Sequence, residues 1–263
     1  MKLGTNHLRE TSSYAIRSIE RAIKLMECFT LGKNLLNMGE LTQLTNLSKS
    51  TVFRILQTLE KHKFVSYDYE TNCYSLGVKL FELGGIVASS FSLLKVSSKF
   101  LDELETKVKH TILMGILEDG ELVYIDKREG KEAVKLTSEV GKRRPPYYGM
   151  LGKTLMAYLP ENEVDYLLKR YPLQKVASRS ITDPKKFKES LKKIQKKGYT
   201  YEWSEAVEGV VGIAAPIKDQ KGKVVAAIGI AIPKLNIEKI NKEEMISLIT
   251  NTAKNISNAL GYI

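Results

Sequence analysis

Apolar residues recur along positions 17–31 at helical spacing. Ile19, Ala22, Ile23, Met26 and Phe29 return every three or four residues, which predicts an amphipathic helix. Gly32-Lys33-Asn34 interrupts it as a loop. Asn37 stands three residues before Glu40, an N-x-x-E form of the capping box, and predicts a short second helix that buries Leu41 and Leu44. Thr45-Asn46-Leu47 is a tight turn into Ser48, a good N-cap for a third helix from Lys49 to about His62. Residues 64–68 and 73–76, rich in Tyr, Val and Phe, read as short strands joined by the turn Tyr69-Glu70-Thr71-Asn72. Three helices followed by a two-stranded hairpin are the pattern of a winged helix-turn-helix, and Gly77 ends it.

Beyond Gly77 the pattern changes. Residues 78–88 and about 92–109 read as helices, the second carrying a stripe of Leu94, Leu101, Leu104 and Val108. From residue 111 onward the signals are mixed. Residues 112–117 and 122–127 flank Glu118-Asp119-Gly120, a hairpin signal, and residues 134–137 suggest a further strand. Residues 151–159 and 161–171 look helical with Pro160 between them. Asp183-Pro184 starts another helix that Gly198 stops. Residues 211–217 and 224–232 are two more strands, and residues 240–258 a final amphipathic helix. The expected fold class is α+β: an N-terminal winged helix-turn-helix over residues 1–77, a linker helix over 78–90, and a C-terminal antiparallel sheet flanked by helices over 91–263.

Composition narrows the function classes. The longest apolar runs, such as residues 224–232, fall far short of the ~20 residues that span a bilayer. Residues 1–9 carry Lys2, His7 and Arg9 and lack the apolar core of a signal peptide, so the expected location is the cytoplasm. The two cysteines, Cys28 and Cys73, form no CxxC pair, which excludes a cysteine-rich zinc site; Cys28 reads as a small buried hydrophobe. The net charge of +11 invites a nucleic-acid reading. The excess is not concentrated at the N-terminal end, however. Residues 1–77 hold 10 Lys and Arg against 7 Asp and Glu, and residues 78–263 hold 31 against 23.

The third helix carries the sharper signal. On a helical wheel Val52, Ile55, Leu56 and Leu59 share one face, and Ser50, Arg54, Gln57 and Lys61 the opposite one. Arg bridges guanine O6 and N7, and Gln bridges adenine N6 and N7. Ser48, Ser50 and Thr51 place hydroxyls at the helix N-terminus, where phosphates and base edges are met. Lys49, Lys61 and Lys63 supply charge for the backbone, and the wing tyrosines Tyr67 and Tyr69 are placed to reach the adjoining backbone or minor groove.

Residues 41–59, LTQLTNLSKSTVFRILQTL, resemble the helix-turn-helix of the IclR family of bacterial regulators. Tyr74-Ser75-Leu76-Gly77 with Leu80 and Leu83-Gly84 is similar to that family's wing exit and linker. Gly198-Tyr199, Glu205, Gly209, Ala214-Ala215-Pro216-Ile217, Gly222 and Pro233 match its C-terminal signature in order and spacing. The resemblance implies a GAF-like effector domain. It also implies a dimer or dimer of dimers on palindromic double-stranded operator DNA, two recognition helices reading two half-sites. It places a small-molecule effector against Leu136, Tyr147, Tyr148, Gly149, Met150, Leu151, Gly152, Glu202, Val210, Gly212, Gly229 and Ala231, and gives Glu205 a structural role.

Several of these positions depart from the family pattern. Tyr147-Tyr148 stands where a His-Ala pair is frequent, Gly212 where a Cys is, and Gly229 and Ala231 replace serines. A pocket suited to a larger or flatter ligand than a two- or three-carbon keto acid is expected, an organic acid or larger flat anion. Lys142-Arg143-Arg144 reads either as a solvated loop or as a charge that draws an anion to the pocket mouth. Glu202, Glu205 and Glu208 without a histidine make a poor metal site, and the lysines of 185–197 alternate with Phe187, Leu191 and Ile194 as the solvated face of an amphipathic helix. No cofactor is implied. An enzyme is disfavoured: the chain lacks GxSxG, P-loop, GxGxxG and HExxH motifs, and its histidines are only His7, His62 and His110. The remaining alternative is a DNA-binding regulator controlled by a protein partner instead of an effector.

Overall fold

The computed structural model describes residues 15–30, 32–90, 92–130, 138–233 and 241–262. The chain forms two compact units, residues 1–90 and 91–263. The strand expected at 134–137 lies outside the described residues, as does Leu136. No helix among the described residues is long and apolar enough to cross a membrane.

The first unit contains α1 (Arg17–Met26), α2 (Met38–Thr45), α3 (Lys49–Lys61), β1 (Val65–Asp68), β2 (Cys73–Leu76) and α4 (Val78–Ser90). The capping box at Asn37 is complete: its Oδ1 accepts from the Glu40 N–H at 3.0 Å, and Glu40 Oε2 accepts from the Asn37 N–H at 2.9 Å. Asn46 takes a left-handed φ of 55° at the end of α2, and Ser48 caps α3 through the Thr51 N–H. Leu25, Leu36, Leu41, Val52, Leu56, Val65 and Tyr74 form the core. Leu36 exchanges two backbone hydrogen bonds with Tyr74, which pins the wing to the loop before α2.

Three expectations are corrected here. The first helix stops at Met26, and a turn through Cys28 and Phe29 follows. Its stripe divides: Phe29 joins Leu25 in the core and Ala22 and Met26 are half-buried, whereas Ile19 and Ile23 face away, 54% and 45% exposed, beside Ile16 at the N-cap, 61% exposed. Leu44 is exposed, not buried. The two-turn helix α2 presents Leu41 and Thr45 inward, which places Leu44 about 100° round from Thr45. Thr45 fits the apolar site because its hydroxyl donates to the Leu41 carbonyl at 2.6 Å. Cys28 is half-buried, not fully so, and its thiol donates to the Lys24 carbonyl.

The second unit begins with α5 (Ser92–Lys107), followed by β3 (Thr111–Glu118), β4 (Glu121–Arg128) and β5 (Arg143–Arg144). Next come α6 (Gly149–Met156), α7 (Glu161–Arg170), α8 (Pro184–Lys197), β6 (Thr200–Trp203), β7 (Val210–Lys218), β8 (Val224–Pro233) and α9 (Lys242–Ala259). Six strands form an antiparallel sheet in the order β5-β4-β3-β8-β7-β6. The sequence gives β7 and β8 two unlike faces. Val211, Ile213, Ile217, Ile228, Ile230 and Ile232 pack against α5 and α9 with Leu101, Leu104, Ile249 and Ile256. Gly212, Ala214, Ala227, Gly229 and Ala231 line the other face, under α6. Fully burying a branched aliphatic side chain stabilises by about 1.5–3 kcal/mol, so the first face holds the unit together and the second is free to serve a site. Strands β5 and β6 were not expected from the sequence; each is four residues or shorter, too brief for alternation to show. The basic helix α8 buries Phe187, Leu191 and Ile194 as expected, and Lys188 reaches across to Asp165 and Glu161 on α7.

Where α3 ends, Lys63 adopts φ 62°, a left-handed conformation that usually falls to glycine, and the Phe64 N–H bonds back to the Leu59 carbonyl at 2.8 Å. Gly77 packs against this corner: a Cβ there would stand 2.2 Å from the Lys63 carbonyl oxygen. A non-glycine residue in the left-handed region costs about 1–2 kcal/mol. Lys63→Gly is therefore expected to raise the stability of the first unit by up to about 1 kcal/mol in urea titration. An unchanged or lower midpoint would show that the Lys63 side chain contributes more than its backbone strain costs.

Candidate functional site

Two surfaces carry the residues singled out by sequence. The first is α3. Its buried positions are Val52 and Leu56, with Ile55 and Leu59 half-buried on the same side. Lys49, Ser50, Arg54, Gln57 and Lys61 are all exposed, and the Arg54 side chain has no ion pair with any described residue. Ser48 is exposed and occupied as the cap: its Oγ lies 3.1 Å from Ser50 Oγ and 2.8 Å from Thr51 Oγ1, so three hydroxyls cluster at the helix N-terminus. Lys63 is exposed at the other end.

The two wing tyrosines differ. Tyr67 is held in place, its hydroxyl donating to Asn72 Oδ1 at 2.8 Å and its ring 4.6 Å from that of Tyr74. Tyr69 stands 81% exposed at the turn, edge-on to Tyr67. Asp68 Oδ1 accepts from the Glu70 and Thr71 N–H groups, which closes the turn and holds its carboxyl below the usual carboxylate range.

The second surface is an open cleft over the small-residue face of the sheet. Tyr148, Gly149, Met150, Leu151, Glu202, Val210, Gly212 and Ala231 line it, eight of the positions named from sequence. Gly152 and Gly229 do not. A Cβ on Gly152 would meet the Pro146 carbonyl oxygen at 2.3 Å, and one on Gly229 would meet Met150 Sδ at 2.9 Å. The space freed by glycine at 212 and 229 is thus occupied by Met150, whose Sδ would also lie 3.0 Å from a Cβ on Gly212. Tyr147 is buried, donates to the Pro172 carbonyl and stands edge-on to Phe187, facing an adjoining cavity with Gln174 and Ile181. Sequence reading missed Leu113, Tyr124, Ser138, Ala206 and Val207 in the cleft wall. The alternation Leu122, Tyr124 on β4 was the signal for Tyr124; the others depend on how distant segments meet.

The three glutamates diverge. Glu205 Oε2 accepts from Lys153 Nζ at 2.6 Å, and both side chains are largely buried. Glu208 accepts from the Ser178 backbone and hydroxyl, which lowers its pKa. Glu202 stands opposite Gly212 across β6 and β7, and the missing Cβ leaves room for its side chain beneath Met150. It accepts from the Met150 N–H in the first turn of α6. Its Oε2 is buried and has no hydrogen-bond partner. Burial pushes its pKa up to about 7; nearby Lys153 lowers it, and Glu205 raises it. A protonated carboxyl here donates a hydrogen bond, and an ionised one accepts. Arg144, at the end of β5, lays its guanidinium carbon 4.9 Å from the centre of the Tyr148 ring, and its buried Nε lacks a partner. Arg143 instead pairs with Glu121 at 3.0 Å.

Comparison with known proteins agrees with this arrangement. Residues 18–68 match the IclR helix-turn-helix domain, and residues 86–258 match the C-terminal domain of bacterial IclR transcriptional regulators. The HTH-type transcriptional regulator KdgR of Escherichia coli K12 is 32% identical over 227 residues, 86% of this chain and 86% of that protein. A putative transcriptional regulator of Rhodococcus sp. RHA1 superposes with TM-score 0.83 at 26% identity, covering 94% of this chain and 98% of that one. An IclR homologue of Microbacterium hydrocarbonoxydans, solved with 4-hydroxybenzoate, gives TM-score 0.83 at 22% identity over 92% of this chain and 98% of its own. With its capped helix-turn-helix, its wing and its sheet-backed cleft, the chain belongs to the IclR family of bacterial transcriptional regulators, DNA-binding proteins and not enzymes.

Proposed function

We propose that this regulator, acting in the cytoplasm as a dimer or dimer of dimers, reads a palindromic operator with α3 and loosens or tightens that grip when an organic acid occupies the cleft. Residues 1–77 serve as the DNA-binding domain, 78–90 as the linker, and 91–263 as the effector and oligomerisation domain. The observation that carries the DNA reading is the exposure of Ser50, Arg54, Gln57 and Lys61 on one side of α3 while Val52 and Leu56 are fully buried on the other. Arg54 and Gln57 read base edges; Ser48, Ser50, Thr51, Lys49, Lys61, Lys63 and Tyr69 hold phosphates. Tyr67, already bonded within the wing, positions Tyr69. Self-association is supported by the outward stripe Ile16, Ile19 and Ile23 and by Val78 and Phe81 of α4, which is 82% exposed.

In the cleft, Tyr124 and Tyr148 supply flat apolar walls and Glu202 Oε2 the buried polar group that a ligand must satisfy. Arg144, stacked on Tyr148 with its Nε free of any hydrogen bond among the described residues, takes the acid group. The 4-hydroxybenzoate held by the Microbacterium homologue is a flat acid of the same kind. Effector binding shifts the DNA-binding equilibrium only by its differential affinity for the two arrangements.

Arg54→Ala is expected to weaken operator binding by about 1–3 kcal/mol and relax one base position, read by quantitative gel shift on selected duplexes. Equal binding by variant and wild type would remove Arg54 from the interface. In thermal-shift assays, flat aromatic acids should stabilise the wild-type protein and not Arg144→Ala; stabilisation by glyoxylate or pyruvate alone would refute the ligand reading.

Glu202 gives a pH test. Its folded pKa, about 7, lies above the ordinary 4.5, so between those values the folded chain holds more protons than the unfolded one. Stability from this site is therefore full below about pH 4.5 and is lost as pH rises toward 7. The thermal midpoint of the wild type should fall relative to that of Glu202→Gln across this window. Parallel curves would mean that the carboxyl titrates normally.

A further inference from the structure

We propose that Phe53 is a specificity residue that reads the C5-methyl group of a thymine in the major groove. The inference rests on the reading of α3 as the DNA-contacting helix and adds to it a hydrophobic contact that the polar face does not supply.

Phe53 lies on the exposed side of α3, three residues after Ser50, directly before Arg54 and four before Gln57. On a helix those spacings make Ser50 and Gln57 its neighbours along the surface. It belongs to the second turn, within the N-terminal half of the helix, the part of a recognition helix that meets base edges. Nearly half of its surface, 46%, is open to water. It is not among the side chains that pack against the core of this unit, although Ile55 and Leu59 of the same helix and Leu47 just before it are. An isolated exposed apolar side chain is ordinary. The setting of this one is not. The other exposed residues of α3 are Lys49, Ser50, Arg54, Gln57, Thr58 and Lys61, all polar or charged.

That setting argues against a protein partner and for DNA. The other outward aliphatic and phenylalanine side chains of this unit lie off α3: Ile16, Ile19 and Ile23 at and on α1, Leu35 and Leu44 before and on α2, Leu76 at the end of β2, and Val78, Phe81, Leu83 and Ile86 on α4. Phe53 is instead fringed by amide, hydroxyl and cationic groups, the mixture that a groove lined with base edges and phosphates requires. The apolar feature in the major groove is the thymine methyl, and it is met by Phe, Ala or a Thr methyl group. Arg54 and Gln57 identify guanine and adenine through hydrogen bonds; neither distinguishes thymine from a base without the methyl group. Phe53 fills that gap.

The test begins with wild-type full-length protein and a pool of random duplexes, from which bound sequences are selected and a tight binder is taken as probe. Each thymine of one half-site is replaced in turn by deoxyuridine, which removes the methyl group alone. One position per half-site is expected to lose about fourfold in affinity, the value of burying one methyl-sized group expressed as a ratio. Phe53→Ala should bind the thymine probe more weakly and respond equally to thymine and deoxyuridine at that position. A pool selected with the variant should lose its thymine preference there. Wild-type affinity unchanged by deoxyuridine at every position would overturn the proposal, as would a Phe53→Ala protein that keeps the full thymine preference. Because the deoxyuridine series uses the unaltered protein, a folding defect in the variant leaves the test intact. Failure of the wild type to enrich any duplex would overturn the underlying reading of α3 as well.

Discussion

The difference in size between the two faces of β7 and β8 governs the second unit. Isoleucines and valines project from one face and meet α5 and α9; glycines and alanines project from the other and receive α6. A strand alternates its side chains strictly, so a single run such as Ala226, Ala227, Ile228, Gly229, Ile230, Ala231, Ile232 assigns both faces at once. The bulky face holds the sheet to its long helices. The small face lets the start of α6 come close enough for Met150 to rest on Gly212 and Gly229, and this closeness brings Glu202 into the first turn of that helix.

Glu202 shows what such closeness does to chemistry. The nearest cation, Lys153, is bonded to Glu205, so the buried carboxyl has no ion pair of its own. One oxygen is satisfied by a backbone N–H and the other by nothing. Burying an unpaired charge costs far more than burying a neutral acid, and the group responds by holding its proton to higher pH. The cleft therefore holds a carboxyl that keeps its proton to higher pH than an exposed glutamate does. Arg144 lays its guanidinium over the ring of Tyr148, a cleft residue, with its buried Nε lacking a hydrogen-bond partner.

How much of this was legible varies with how local the cause is. The helix-turn-helix was readable because its signals are short-range: Asn37 with Glu40, Asn46, Ser48, and the spacing of Val52 and Leu56 all act within one turn. Periodicity also found the stripe on α1, but periodicity says that a face is apolar and not what covers it, and Ile19 and Ile23 turned out to face away from Leu25. Leu44 was misplaced because a two-turn helix has room for only two inward positions. In the cleft, matching to the family pattern found the positions on α6, β6 and β7, since each is fixed by its own element. It missed Tyr124, Ser138 and Ala206, which arrive from separate segments. It also placed Gly229 against the effector, whereas the volume beside Gly229 is filled by Met150 from α6. Packing across elements is not written in any one of them.

The corner at Gly77 ties the start of α4 to α3 and the wing. The Gly77 N–H bonds to the Phe64 carbonyl at 2.8 Å and the Lys79 N–H to the Lys63 carbonyl at 3.1 Å, so the exit of the wing and the first turn of α4 are both fastened to the tail of α3. With backbone against backbone and no side chain between, this joint has no slack. It works as a crank: the start of α4 cannot swing without carrying α3 and the wing along as one block. The first turn of α4 is thus part of the helix-turn-helix unit in a mechanical sense, and a substitution at Gly77 bears on α3 as directly as one in the wing.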